Sequence, residues 1–256
     1  MRAALIQMDI AWEDWSANHA RAAGHLKHAA DAGADLAILP EMFATGFSMN
    51  VARTAQPEGG PTERWLRGMA RGLSMHVLAG VAETGTPLPV NSALLVSPEG
   101  DVRRYHKLHP FSAAGEEKSF RGGDRVVTWE IAGARITPLV CYDLRFPEPF
   151  RLAAGETDAY AVIANWPDRR RTHWQTLLRA RAIENQAFVL GVNRVGDGDG
   201  IHYAGDSAAI SPWGETLVSA AEIETVLIVD FDPKEVESSR ARFSALADRR
   251  PESYRR

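Results

Sequence analysis

The sequence predicts an α/β fold in which mixed β-sheets are flanked by helices, and three observations carry this prediction. Short β-rich runs alternate with helical patterns along most of the chain, as in layered α/β proteins with parallel strand pairing. Two adjacent hairpins are predicted mid-chain, around Ser97–Gly100 and Ala132–Gly133. They fit poorly with an eight-stranded (β/α) barrel, the main alternative at this length. No repeat or long linker divides the sequence, so we expect residues 1–256 to form one domain.

In the first half of the chain, strands are predicted from apolar runs and helices from apolar residues at helical spacing. The first helix takes Ser16 as its N-cap and ends near Gly33. Leu36–Leu39 is apolar throughout, as expected of a strand covered on both faces. In chain order the predicted elements are strand Arg2–Asp9, helix Ser16–Ala32, strand Leu36–Leu39, helix Pro61–Leu73, strand His76–Val81, and the hairpin strands Asn91–Val96 with Asp101–Tyr105 and Val126–Ile131 with Ala134–Val140.

The second half continues this alternation. A long helix over Thr172–Asn185 carries Trp174, Leu177, Leu178 and Ile183 for packing. The other predicted elements are helix Pro147–Ala154, strands Ala159–Ala164, Ala187–Asn193 and Thr225–Phe231, turns at Gly196–Gly200 and Pro212–Glu215, and a terminal helix that begins at Asp232.

The composition is that of an ordinary globular domain, with 45% apolar and 24% charged residues. A formal net charge of −4 argues against a dedicated nucleic-acid binder, because phosphate binding normally shows as a basic excess. Cys141 is the only cysteine, which excludes an intrachain disulfide and a thiolate zinc site. Acidic residues at Asp9, Glu13 and Asp14 interrupt the region where a signal peptide needs an apolar core, and no stretch predicts a membrane span. We therefore expect a cytoplasmic protein with neither a membrane nor a nucleic acid as partner.

Three reactive side chains directly follow predicted strands, at the edge where functional groups gather in α/β proteins. Glu41 follows the second strand, Lys107 the strand that ends at Tyr105, and Cys141 the strand that ends at Val140. Singly, each has an ordinary explanation as a solvated acid, a surface lysine or a small core residue. Together they supply a base, a cation for a developing oxyanion and a nucleophile. These are the requirements of acyl transfer from an amide or a nitrile.

The backbone N–H of Tyr142, in the turn after the cysteine, is a candidate for the second oxyanion donor. A cysteine–histidine pair is the competing design, and spacing alone does not exclude it. The histidines available for such a pair are His106, His109, His173 and His202.

Three segments resemble the signature motifs of the nitrilase, or carbon–nitrogen hydrolase, superfamily, and they occur in the family's order. The segments are Leu39–Phe43 (LPEMF), Tyr105–Lys107 (YHK) and Leu139–Glu148 (LVCYDLRFPE). The similarity runs from about residue 2 to about residue 232. It implies an α-β-β-α four-layer sandwich, no cofactor, no metal, and a catalytic triad of Glu41, Lys107 and Cys141.

The resemblance also implies a second glutamate near the site, after the lysine and before a glycine-rich turn. Glu116 is the better match, since Gly122–Asp124 follows it, and its neighbour Glu117 is the alternative. The role implied for this acid is to position Lys107 or to assist proton movement.

Within the superfamily, the chain is most similar to the ω-amidases. The similarity lies in the segments Pro40–Phe47, Asn165–Pro167, Gly191–Gly196 and Tyr203–Ser207. Those enzymes convert 2-oxoglutaramate and 2-oxosuccinamate to the 2-oxo diacid and ammonia, so the resemblance implies a small amide substrate. The alternatives are an N-carbamoyl-amino-acid hydrolase or a nitrilase with the same triad, and a catalytically silent binding protein of the same fold.

A carboxylate-bearing substrate needs a cationic contact. Arg145, four residues after Cys141, is our first candidate because a guanidinium can bind a carboxylate through two parallel hydrogen bonds. The alternative is a structural ion pair of Arg145 with Asp143 or Glu148.

Aromatic side chains are expected to form the pocket walls, namely Phe43, Phe47 and Trp166. The basic run Arg169–Arg171 is expected to be a solvated loop or helix start, because the whole chain is acidic. The family commonly forms dimers through helices near the nucleophile, and the resemblance makes the helix Thr172–Asn185 the candidate for such an interface.

Overall fold

The computed structural model of the protein describes residues 1–254, which contain thirteen strands and six α-helices. The strands are β1 (Arg2–Gln7), β2 (Leu36–Ile38), β3 (His76–Glu83), β4 (Val90–Val96), β5 (Val102–His106), β6 (Trp129–Ile131), β7 (Ala134–Val140), β8 (Ala159–Ala164), β9 (Phe188–Asn193), β10 (Val195–Gly198), β11 (Ile201–Ile210), β12 (Thr216–Ala221) and β13 (Thr225–Asp230). The helices are α1 (Trp15–Asp31), α2 (Val51–Thr54), α3 (Pro61–Leu73), α4 (Pro147–Ala153), α5 (Arg171–Asn185) and α6 (Pro233–Arg242).

The strands form two mixed sheets. The first has the order β13-β1-β2-β3-β4-β5, and the second has the order β10-β11-β9-β8-β7-β6, with β12 paired to β11. Parallel pairs lie at the centre of each sheet: β1 with β2 and β2 with β3 in the first, β7 with β8 and β8 with β9 in the second. The predicted mixed sheets are therefore confirmed, and the barrel alternative is wrong.

Alternation of side chains along β1 explains the layering. Ala3 and Leu5 belong to the core shared with the second sheet, whereas Ala4 and Ile6 pack in the core formed with α1 and α3. Both faces of this strand are buried, so it is apolar almost throughout. Helices α4 and α5 lie on the second-sheet side, where α5 contacts β9 and β11. The result is the expected α-β-β-α sandwich.

Helix α1 begins one residue earlier than predicted, and its N-cap is Asp14 rather than Ser16. The Asp14 carboxylate accepts a hydrogen bond from the backbone N–H of Ala17 at 3.0 Å. This is the bond by which an N-cap satisfies a free amide of the first turn, and aspartate makes it as well as serine does.

The sequence reasoning missed β10, β11 and β12. Glycine, aspartate, histidine and serine interrupt their apolar pattern, and β12 has no fully buried residue. Pairing with β9 stabilises β11 although its residues have a low intrinsic preference for β-strands. Within residues 1–254, none of the helices has the length and apolarity that a bilayer crossing requires.

Candidate active site

The side chains of Glu41 and Lys107 meet at the ends of two strands of the first sheet. Lys107 Nζ donates hydrogen bonds to Glu41 Oε1 at 2.9 Å and to Glu116 Oε2 at 2.8 Å. All three side chains are at most 1% exposed. One buried ammonium is thus held between two buried carboxylates.

The two carboxylates decide the charge of Lys107. Burial alone lowers the pKa of an ammonium, because charge is poorly solvated in a protein interior. Here the attraction of Glu41 and then Glu116 outweighs burial and raises the pKa of Lys107 well above its ordinary value. Lys107 is therefore a permanent cation at neutral pH.

Cys141 is contributed by the second sheet, directly after β7. It begins a short 3₁₀ helix, Cys141–Arg145, and has a φ of +46°, in the left-handed region that a side chain makes costly. A strained turn of this kind between a strand and a helix can expose a nucleophile at the end of a sheet.

The Cys141 thiol lies in the field of the buried acids. Burial, followed by the negative charge of Glu41, raises its pKa well above the ordinary value, although Lys107 opposes the rise. The resting side chain is therefore a thiol, and it needs a base to become nucleophilic.

Two asparagines hold Glu41 in place, and the sequence reasoning gave neither a role. Asn91 Nδ2 donates to Glu41 Oε1 at 2.7 Å and to Glu116 Oε1 at 2.9 Å. The backbone N–H of Asn165 donates to Glu41 Oε2 at 2.9 Å. The Cys141 Sγ lies 4.0 Å from the carbonyl oxygen of Asn165. Asn165 thereby links the glutamate of one sheet to the cysteine of the other.

Glu116, and not its neighbour Glu117, lies at the site. Its carboxylate contacts Lys107 and also accepts from the backbone N–H of Phe111 at 2.5 Å, whereas Glu117 is exposed. Glu116 thus fixes the loop after β5 as well as the lysine.

Asp143 ties the nucleophile turn to the first sheet. Its buried carboxylate accepts from the Tyr105 hydroxyl at 2.8 Å, from the His109 backbone N–H at 3.0 Å and from the Val140 backbone N–H at 3.1 Å. These hydrogen bonds fix the position of the turn that carries Cys141 relative to the strand that leads to Lys107.

A pocket opens in front of Cys141. Tyr142, Arg145 and Trp166 line it, as expected. The other lining residues are Phe47, Phe111, Ala114, Asn165, Pro167, Arg169, Arg170, Ile201 and Tyr203. No histidine belongs to this set within the part of the chain that the structure describes, so the cysteine–histidine alternative finds no support here.

The expectation that Phe43 walls the pocket is wrong. Its side chain is fully buried in the core between the first sheet and its helices, with ring centroids 5.8 Å from both His19 and Trp65. Phe47, four residues later, lines the pocket instead, and Lys107 Nζ lies 5.2 Å from its ring centroid.

The run Arg169–Arg171 forms a helix start, one of the two expected settings, but its side chains are not simply solvated. Arg169 and Arg170 line the pocket, and the side chain of Arg171 pairs with Asp206 at 2.6 Å. A short 3₁₀ helix, Asp168–Arg170, turns the first two arginines toward the nucleophile before α5 begins.

Arg145 forms no ion pair with Asp143 or Glu148. Its guanidinium lies 4.8 Å from the ring centroid of Trp166, and its Nη2 is 3.2 Å from His173 Nδ1. A cation is therefore present in the pocket without a neutralising carboxylate. Among residues 1–254, no group of three histidine, cysteine, aspartate or glutamate side chains is arranged to bind a metal ion.

Known proteins resemble this chain over nearly its whole length. The carbon-nitrogen hydrolase family model matches residues 2–241. An Escherichia coli K12 protein named omega-amidase YafV is 39% identical over 250 residues, covering 97% of this chain and 96% of its own. A Bacillus subtilis 2-oxoglutaramate amidase is 32% identical over 225 residues, with coverages of 86% and 87%. The structure of a Xanthomonas campestris CN-hydrolase superfamily protein, with an arsenic adduct in its active site, matches at a TM-score of 0.93 and 37% identity, covering 98% of this chain and 97% of that one.

Proposed function

The chain belongs to the carbon–nitrogen hydrolase family, and on that premise we propose that it is a thiol amidohydrolase of the ω-amidase kind. Its substrates in this proposal are small amides that carry a carboxylate, first 2-oxoglutaramate and 2-oxosuccinamate. The products are the 2-oxo diacid and ammonia. Relatives named omega-amidase and 2-oxoglutaramate amidase support this choice.

One observation carries the proposal: a buried ammonium between two carboxylates lies beside the single thiol of the chain. Lys107 contacts Glu41 and Glu116 at 2.9 and 2.8 Å, and all three charges influence the pKa of Cys141. A cation that stays charged is suited to hold the negative oxygen of a tetrahedral intermediate. A binding protein without catalysis has no need of this costly buried arrangement.

In the proposed first half-reaction, Glu41 takes the proton of the Cys141 thiol while the sulfur attacks the amide carbon. Lys107 and the backbone N–H of Tyr142 hold the oxyanion. Glu41 then passes the proton to the leaving nitrogen as the C–N bond breaks, which releases ammonia and leaves a thioester.

In the second half-reaction, water attacks the thioester carbon and gives a proton to Glu41. The second tetrahedral intermediate uses the same oxyanion donors. Its collapse breaks the C–S bond, and the proton returns from Glu41 to the sulfur. The carboxylic acid is released and the thiol is regenerated, so no other reagent is consumed.

The distal carboxylate of the substrate is assigned to the cationic side of the pocket, with Arg145 as its first contact. Its guanidinium faces Trp166 and has no carboxylate partner in the described part of the chain. An N-carbamoyl-amino-acid hydrolase would use the same cation, so the two reactions are separated by their products. Carbon dioxide accompanies ammonia only from a carbamoyl substrate.

We also propose that the protein acts in the cytoplasm as a homodimer. A nucleophilic thiol must stay reduced, and the cytoplasm provides that condition. Exposed apolar side chains on the second-sheet helices support a dimer, since Leu152 on α4 is 77% exposed and Ile183 on α5 is 50% exposed.

Substitution of the nucleophile tests the mechanism. Cys141→Ala removes the only thiol, so we expect turnover of 2-oxoglutaramate to fall by roughly 10⁴-fold or more, as when a covalent nucleophile is lost. Ammonia release under steady-state conditions is the measurement. Mass spectrometry of acid-quenched wild-type protein should show the acyl adduct on Cys141. Retained turnover in the variant contradicts the proposed mechanism.

Screening ammonia release over small amides, carbamoyl amino acids and nitriles tests the substrate class. We expect oxo-acid amides to give the highest kcat/KM. A preference for carbamoyl compounds with release of carbon dioxide would favour the first alternative. Absence of turnover and of any acyl adduct across all classes would favour a silent binding protein.

A further inference from the structure

The pocket in front of Cys141 has a strongly one-sided charge. Its lining contains Arg145, Arg169 and Arg170, and no aspartate or glutamate among the residues that the structure describes. The rest of the wall is mostly aromatic, formed by Phe47, Phe111, Tyr142, Trp166 and Tyr203. Such a pocket attracts an anion and repels a cation.

Arg170 is the more buried of the two pocket arginines whose side chains have no polar partner among residues 1–254, since Arg169 is exposed. Its guanidinium is partly buried and lies 5.0 Å from the ring centroid of Phe111. Within residues 1–254 it forms neither a hydrogen bond nor an ion pair through its side chain. The adjacent Arg171 pairs with Asp206 at 2.6 Å, whereas Arg169 and Arg170 have no acid partner among the described residues.

This arrangement is unfavourable until an anion arrives. The guanidinium is partly buried and lies near Arg169 and Arg145; burial first, then these two charges, lower the pKa of Arg170. Removing a charge from water without a partner costs free energy. An entering carboxylate would relieve that cost, and the aromatic walls would strengthen the ion pair by excluding water.

The backbone of Arg170 is fixed before any ligand binds. Its carbonyl oxygen accepts from Trp166 Nε1 at 2.8 Å, and its N–H donates to the Pro167 carbonyl at 3.0 Å. Arg145 is more engaged, because Nη2 lies 3.2 Å from His173 Nδ1. Arg170 therefore presents more free donors than Arg145, from a backbone position that is already fixed.

We propose that Arg170 is a specificity-determining residue that binds the distal carboxylate of the substrate, with Arg145 as the second arm of a two-guanidinium clamp. The inference rests on the proposed amidase function and deepens it. It restricts the substrates to short linear amides with an anionic group at the far end. A neutral amide would reach Cys141 but would leave the clamp unpaired.

Two substitutions at Arg170 test this assignment. Arg170→Gln keeps a polar side chain without charge, and we expect it to raise KM for 2-oxoglutaramate by roughly 10- to 100-fold, since hydrogen bonds to charged groups have about that effect. For the neutral amide propionamide, kcat/KM should change by less than about threefold. Arg170→Lys keeps the charge but loses the planar fork, so it should fall between Arg170→Gln and the wild type. Arg125→Gln is the matched control, because that side chain is 75% exposed and its ion pair among residues 1–254 is with Asp124.

A binding measurement separates this inference from the proposed function. Calorimetry on Cys141→Ala measures the affinity for 2-oxoglutaramate without turnover, and addition of Arg170→Gln should weaken it by the same roughly 10- to 100-fold factor. Equal losses on the anionic and the neutral amide, with unchanged affinity in the calorimeter, would overturn the role of Arg170 and leave the amidase proposal standing. If the wild type binds the anion through Arg170 without hydrolysing it, the amidase proposal fails and the clamp stands.

Discussion

At the scale of the residue, the site depends on how the positive charge of the buried Lys107 is neutralised. An isolated buried ammonium would cost several kcal/mol or lose its proton. Glu41 and Glu116 together overcompensate it, so the buried cluster carries a single net negative charge. A thiolate at Cys141 would add a second one. Transfer of the thiol proton to Glu41 leaves the net charge unchanged, which explains why a carboxylate is an effective base for a thiol with a raised pKa.

Glu41, Lys107 and Cys141 could be singled out from the sequence because each lies within three residues of the end of a strand and in a recognisable motif. The sequence could not separate Glu116 from Glu117, since neighbouring residues in an irregular segment have no periodicity that assigns a face. Asn91 and Asn165 were not predicted to bind Glu41. Asparagine side chains are uncharged, so a search of the sequence for charged or nucleophilic residues does not single them out. Their role here depends on contacts between distant parts of the chain.

Glu116 and Glu117 provide a matched pair of substitutions. Glu116→Gln should lower kcat by roughly 10- to 100-fold with a smaller change in KM, because misplacement of a catalytic group by about 1 Å has effects of this order. Glu117→Gln alters an exposed side chain and should leave both constants within about twofold. Steady-state kinetics measure both, with thermal melting to verify folding. Similar kinetics for the two variants would refute a positioning role for Glu116.

At the scale of the element, the loop after β2 is held against β3 by close backbone packing. The N–H of Gly80 donates to the Pro40 carbonyl at 3.1 Å, and the N–H of Phe43 donates to the Gly80 carbonyl at 3.1 Å. A Cβ at Gly80 would lie 2.4 Å from the Cα of Glu41. Strand β3 thus needs a glycine at this position, because the backbone that carries Glu41 approaches so closely.

Gly80→Ala should displace Glu41 and reduce activity as well as stability. Overpacking of this kind costs about 1–3 kcal/mol in the free energy of unfolding, and the resulting shift of Glu41 should lower kcat by roughly 100-fold. Gly68→Ala on α3 is the control, since an added Cβ there meets nothing within 4 Å. Denaturant unfolding and steady-state kinetics are the measurements. Unchanged kcat in Gly80→Ala would show that the Glu41 loop tolerates displacement.

The same scale shows which elements sequence patterns can predict. Helix Pro61–Leu73 and strand Ala159–Ala164 were predicted with these bounds, because a proline marks the start of the helix and the strand is a continuous apolar run. Strand β11 was missed because its pairing with β9, β10 and β12, rather than its own composition, keeps it extended. Elements of this kind are determined by their neighbours.

At the scale of the whole molecule, the site lies where the two sheets meet. The first sheet supplies Glu41 and Lys107, and the second supplies Cys141. The bond from the Tyr105 hydroxyl to Asp143 crosses between them at 2.8 Å. Contacts across the sheets join distant segments, so the sequence could suggest that three strand ends converge but not which arginines face the resulting pocket. The expectation for Arg170 was a solvated loop or a helix start; the helix start is observed, but the position of this side chain at the pocket was not predicted.

The remaining prediction concerns the outer surface of the second-sheet helices, where we expect two copies of the chain to associate. Leu152 is 77% exposed and lines a groove with Arg151 and Glu184, on the side of the sandwich away from the first sheet. We expect Leu152→Glu to convert a dimer into a monomer, because burying an unpaired carboxylate at an apolar contact costs several kcal/mol. Ile223→Glu is the control, since that side chain is 59% exposed in the turn between β12 and β13. Light scattering after size-exclusion chromatography gives the masses. A monomeric wild type would contradict the proposed dimer. A dimer that persists in Leu152→Glu but dissociates in Ile223→Glu would place the interface elsewhere on the surface.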